Sequence, residues 1–206
     1  MSPPVGPTGL PQTCDGEYKR QWRASASLAG FDTTIVFKNN GRAALQQVGV
    51  AASLDRTLGE RFTVQLALGA ALTGHIVFNG RDDRIRPGPL MSIAGSYRAV
   101  DDGPRTPFVV GTVSLAQSFV HTDESALRAT DARVGVVVGK TFGPFAPFVA
   151  ARAFGGPVRY AGDTGGDRYH YQFAAGGLLF VKGFDASFEV AFLGERRFTL
   201  GVGASF

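Results

Sequence analysis

Two short clusters carry the residue types that catalysis would need. The stretch His121–Ser125, reading HTDES, places an imidazole (His121), two carboxylates (Asp123, Glu124) and a hydroxyl (Ser125) close together. A serine nucleophile, its base and an orienting acid are built from such a set. A second set, Asp82 and Asp83 with Asp167 and His170, offers a carboxylate pair and a carboxylate–imidazole pair that could activate water across a cleft. The first cluster falls where an alternating segment runs into a polar loop, so neighbours in sequence need not meet in space. A solvated loop is the expected reading, and no catalytic residue is assigned. His75, His121 and His170 lie on three separate segments with no ligand spacing, so no metal site is expected. The run Gly162–Asp167, GDTGGD, reads as ordinary turn chemistry. Cys14 is the single cysteine and cannot form an internal disulfide. Gly201 and Gly203 sit inside an alternating segment and form no phosphate loop, so no cofactor is expected.

A second group of charges is more informative, because its members recur in phase with strands. Arg98, Arg133, Arg152, Asp185 and Glu189 each fall on the small or polar side of an alternating segment. The last ten residues show the pattern most clearly. Phe198, Leu200, Val202, Ala204 and Phe206 share one face of an extended chain, and Thr199, Gly201, Gly203 and Ser205 share the other. The segment before it sets Phe184, Ala186, Phe188, Val190 and Phe192 against Asp185, Ser187 and Glu189, and LGERR joins the two as a hairpin. Comparable segments run upstream through Tyr169–Val181, the stretch FAPFVAARAF, Arg133–Phe142, Val109–Phe119, Met91–Arg98, Phe62–Thr73 and Gln47–Leu54 to Trp22–Leu28. The count is about ten strands, with eight or twelve left open because DTTIVFK could add to the first hairpin or form its own.

Composition sets the class. The chain has 206 residues, 44% of them hydrophobic, with 28 Gly and 17 Phe, and a mean hydropathy of +0.04. No run of about 18 apolar residues is present to make a spanning helix. A transmembrane barrel, by contrast, alternates apolar and polar positions and averages out like a soluble protein. The net charge is +4, but the arginines are scattered singly rather than gathered with aromatics into a stripe, which argues against nucleic acid. The first residues carry no basic region followed by an apolar one, so they do not read as a signal peptide. Residues 1–20, rich in Pro and Gly, are expected as a tail, and residues 21–206 as one barrel domain.

The faces favour the membrane. A soluble barrel points its apolar side chains inward. Here the side opposite the Phe and Val residues is rich in Gly, Ala, Ser and Thr and carries the five charges named above, so it suits a wet or ion-paired interior. The greasy side would expose more apolar area than a soluble monomer tolerates. Connections alternate between tight and long, as they do between the two ends of a transmembrane barrel. The expected fold is an all-β, closed, antiparallel, up-and-down transmembrane β-barrel.

On these residues the chain resembles a small Gram-negative outer-membrane β-barrel of the broad OmpA-like or OmpW-like kind, from about residue 21 to 206. The resemblance implies residence in the bacterial outer membrane with both termini periplasmic, and the tail as a periplasmic segment, with folding into the lumen the alternative. It also implies that the final strand, Phe198, Leu200, Val202, Ala204 and Phe206, acts as the signal read by the barrel-assembly machinery. The expected role is structural, interactive or that of a narrow pore; the alternative is a hydrolase at the extracellular rim, similar to lipid A deacylases or omptins. Outer-membrane lipid, lipopolysaccharide and other envelope proteins are the expected partners. Arg84, Arg86, Arg159, Arg196 and Arg197 are expected to meet lipopolysaccharide phosphates, which guanidinium groups bind in a bidentate manner.

Overall fold

The computed structural model describes residues 10, 22–38, 41–123 and 125–206. They form thirteen strands and no helix: β1 (Trp22–Phe37), β2 (Arg42–Leu58), β3 (Phe62–Phe78), β4 (Arg81–Ile85), β5 (Gly88–Val100), β6 (Phe108–His121), β7 (Ala126–Gly139), β8 (Phe145–Gly155), β9 (Val158–Tyr160), β10 (Asp163–Asp167), β11 (Tyr171–Val181), β12 (Phe184–Phe192) and β13 (Arg196–Ser205). With β4, β9 and β10 set aside, ten strands pair antiparallel in chain order, and β13 pairs back onto β1 from Arg23↔Ser205 to Asp32↔Arg196. Among the described residues the ten-strand ring closes on itself, which is the condition for a sheet to cross hydrocarbon.

Alternation fixes the inside and the outside. Along β2 every second residue is buried, from Ala43 through Asp55 to Thr57, and the residues between are exposed. Outward positions form an apolar band, with Leu68 72% exposed and Val113, Val134 and Val202 close behind. Such a surface is stable only against lipid. Inside, two apolar clusters form. Ile35, Phe37, Leu45, Ile76, Leu127 and Tyr160 pack together at the end where the long connections lie. Phe108, Val110, Phe148, Leu178 and Phe180 form the second cluster, and Leu10, the one described residue of the expected tail, is buried among them inside the barrel.

Two stretches of turn and loop composition contain strand, and the open placement of DTTIVFK resolves toward the first hairpin. DTTIVFK continues β1 as far as Phe37, because Ile35 and Phe37 find an apolar cluster to bury in. GRDDRIRPG contains β4, which hairpins onto β3 through Asn79 and Gly80, both at positive φ (50° and 80°). That backbone matches the tight hairpin turn whose twist suits the strands, and Asn-Gly favours it. GDTGGD, read as a turn, is largely strand β10.

The wall is uneven in height. β2 and β3 have 17 residues each, whereas β12 has 9 and β13 has 10. Above the short side, the β9–β10 hairpin carries the wall: β9 pairs with Leu127–Ala129 of β7 and β10 with Ile35–Phe37 of β1.

Candidate functional site

The lumen holds the charges, and register explains how they meet. Arg23 projects inward from β1 directly opposite Asp55 of β2. Its Nη1 donates to Asp55 Oδ2 at 3.0 Å, while Nε and Nη2 fork onto Asp185 of β12 at 2.9 and 2.5 Å. Asp185 lies one strand further round, so the guanidinium has to cross β13. Gly203 makes the crossing available: a Cβ there would lie 2.7 Å from Arg23 Nη2 and 2.8 Å from Asp185 Oδ2.

The next pair sits on β8 and β12. Arg152 Nη1 and Nη2 grip Glu189 Oε1 and Oε2 at 2.6 and 2.5 Å, and Nη1 also donates to Gln172 Oε1 at 3.2 Å. Nearer the long-loop end, Arg133 on β7 donates through Nε to Asp131 Oδ2 at 2.7 Å and through Nη2 to Glu195 Oε2 at 2.8 Å, with the Phe154 ring 5.0 Å from its Cζ. Gln172 Nε2 donates to the Glu195 carbonyl at 3.1 Å. At the other end Arg98 donates to the Glu60 carbonyl and pairs with Asp101 at 2.7 Å. Charges buried this deeply persist only when their partners hold them, since each alone would cost several kcal/mol, on the order of the desolvation penalty of one ion.

All five lumen charges expected from sequence therefore face inward. Arg152 and Glu189 pair with each other, while Asp185 pairs with Arg23 and Arg133 with Asp131 and Glu195. Arg23, Asp55 and Asp131 were legible in principle, since each keeps the inward phase of its strand. Glu195 was not, because it lies in the β12–β13 turn, where no period exists.

The rim arginines divide. Arg84, Arg86, Arg159 and Arg196 are exposed, and Arg86 pairs with Asp123 at 2.7 Å. Arg197 is a correction to the rim set: it points into the lumen, is 8% exposed, donates through Nε to Thr199 Oγ1 at 3.2 Å and approaches Glu195 at 3.9 Å. Strand alternation requires this, because Arg196 and Arg197 are neighbours and cannot share a face.

The residues considered for hydrolysis are drawn to separate partners. Asp82 meets His75 at 3.2 Å, Asp83 accepts from Tyr160, Asp167 accepts from Thr33 at 3.3 Å, and His170 Nδ1 lies 3.2 Å from the Phe154 carbonyl. Asp123 is held by Arg86, and the Ser125 amide donates to Thr122 Oγ1 at 3.1 Å. Glu124 lies outside the described residues, as do Cys14 and the other residues of the expected tail apart from Leu10.

A closed antiparallel ring with an apolar outer band and charged interior defines the class: the architecture is that of a bacterial outer-membrane β-barrel. Among solved structures, the chain is similar to the outer membrane protease OmpT from Escherichia coli, with TM-score 0.56 and 9% identity over 90% of this chain and 97% of that one. It is also similar to the transport unit of the autotransporter AIDA-I from Escherichia coli, with TM-score 0.51 and 11% identity over 92% and 91%. These likenesses are of fold. No family model matches the chain, and no curated protein does.

Proposed function

We propose that the protein serves the outer membrane as a narrow or closed barrel with a structural or interaction role, and that it is not an enzyme. The observation that carries this reading is the pairing in the lumen: Arg23, Arg133 and Arg152 are each bound to carboxylates on other strands or across the barrel. Guanidinium groups neutralised in this way do not present a row of free cations to passing anions. The short turns at 59–61, 140–144 and 182–183 lie at the same barrel end as Trp22 and Phe206, which supports a periplasmic place for that end and an extracellular one for the long connections. Phe198, Leu200, Val202 and Phe206 keep one outward face on a strand that closes the ring. That arrangement suits recognition by assembly machinery.

Planar-bilayer recording of the purified chain tests the role. Wild type is expected to give no resolved steps or only small ones, and the double variant Arg152→Ala/Glu189→Ala larger ones. A large, steady conductance from wild type would overturn the reading.

A further inference from the structure

Along β1 the wall changes partner strand, from β13 to β10. β13 leaves β1 where Arg196 faces Asp32, and two residues on, the Arg168 amide donates to the Thr34 carbonyl at 2.9 Å as the chain turns from β10 toward β11. Beneath that crossing the β12–β13 turn tucks in at Leu193 and Gly194, and an outward-facing groove of about 720 Å³ results. Its lower part, formed by Tyr171, Phe173 and Leu193, is continuous with the apolar band. Its upper part holds Arg168 and Arg196, both exposed.

Three facts point to a ligand with an anionic head and an apolar body. Among the described residues neither guanidinium forms an ion pair, unlike those of the lumen. Their backbones lie opposite β1 positions 32 and 34, about 7 Å apart by strand rise, close enough for two long side chains to converge on one phosphate. Arg168 is also held in place, with its Cζ 5.1 Å from the centre of the Tyr169 ring. Among the described residues Asp32 is the one carboxylate lining the groove, so the two cations outnumber it.

We infer that this groove binds the phosphorylated head of lipid A, with a phosphate between Arg168 and Arg196 and an acyl chain along Tyr171 and Phe173. The inference rests on the proposed orientation, which puts this rim in the outer leaflet.

The test uses the full chain purified in detergent and challenged with bisphosphorylated lipid A, dephosphorylated lipid A or phosphatidylglycerol. Retained lipid is read by native mass spectrometry. Wild type is expected to retain bisphosphorylated lipid A and to lose the dephosphorylated form. Arg168→Gln/Arg196→Gln is expected to bind about tenfold more weakly, the loss of charge-assisted forks, while Arg128→Gln, an exposed arginine of β7 outside the groove, binds as wild type. Equal retention by the groove variant, an equal loss in the control variant, or displacement by equimolar phosphatidylglycerol overturns the assignment. If the glutamine pair fails to fold, Arg168→Lys/Arg196→Lys is measured, and undiminished binding overturns it. Labelling of Arg159→Cys in a Cys14→Ser background on intact cells reads orientation separately. No labelling there sinks the orientation while leaving binding in detergent intact.

Discussion

Trp22 and Phe206 exchange both main-chain hydrogen bonds: the Trp22 amide donates to the Phe206 carbonyl at 3.2 Å, and the Phe206 amide to the Trp22 carbonyl at 2.9 Å. The seam between the first and last strands is thus closed as far as residue 206, with the Phe206 side chain 66% exposed on the lipid side. Removing Phe206 leaves two backbone groups of Trp22 unpaired and takes the aromatic from the end of the outward row. Deletion is expected to lower the yield of heat-modifiable, membrane-inserted barrel, measured by gel shift of outer-membrane fractions. Assembly at the wild-type level would refute a signalling or sealing role for this residue.

The Arg23 triad is a stability test. Arg23→Ala leaves Asp55 and Asp185 buried without their cation, a loss of about 3–5 kcal/mol by the behaviour of broken buried pairs. Urea unfolding in lipid vesicles measures it. The triple replacement of Arg23, Asp55 and Asp185 by apolar residues is expected to be much milder than the single one, because no orphaned charge remains.

Gly139 faces Phe108 across the β6–β7 pair, and the ring lies over the glycine. A Cβ at 139 would come 2.9 Å from Phe108 Cε1 and 2.5 Å from the Pro147 carbonyl oxygen. Gly139→Val is expected to destabilise the barrel by about 1–3 kcal/mol, the usual cost of overpacking. Pairing it with Phe108→Ala should relieve the ring clash but not the backbone one, so recovery in the same unfolding assay is expected to be partial.

Acid should loosen one pair of turns. Asp102, between β5 and β6, reaches the β7–β8 turn, where it accepts from Lys140 Nζ at 3.0 Å and from the Thr141 amide at 2.9 Å. Burial pushes its carboxyl up, but the bonds from Thr141 and Lys140 outweigh that and hold it below the usual carboxylate range. A depressed folded value means that the stabilisation is complete above the unfolded value, about pH 4, and fades as pH falls through the lower folded one. Hydrogen exchange across residues 140–144 is expected to quicken only below that range in wild type. Asp102→Asn should exchange faster at neutral pH and lose the acid dependence.

The separation of faces was legible in sequence because a strand has a period of two, and that period survives any tertiary arrangement. It placed Arg98, Arg133, Arg152, Asp185 and Glu189 inside and Phe198, Leu200, Val202, Ala204 and Phe206 outside without knowledge of the neighbours. The same rule assigned Arg196 and Arg197 to opposite faces, a consequence missed when both were grouped with the rim. The turns behaved differently. β4, β9 and β10 lie in stretches rich in Gly, Asp and Arg, where local composition favours loops, and they are strands because β3, β7 and β1 extend far enough to pair with them.

By itself, then, the sequence determined an inside-out barrel of about ten strands, its lipid face and the charges of its interior, since these follow from alternation and strand length. Only the tertiary structure decided which charges meet. Arg23 reaches Asp185 by crossing β13 above Gly203, and Glu195 enters the lumen from a turn. The groove between Arg168 and Arg196 likewise arises where two strands far apart in the chain end against the same edge of β1. Such relations depend on register around a closed ring, and no single strand encodes them.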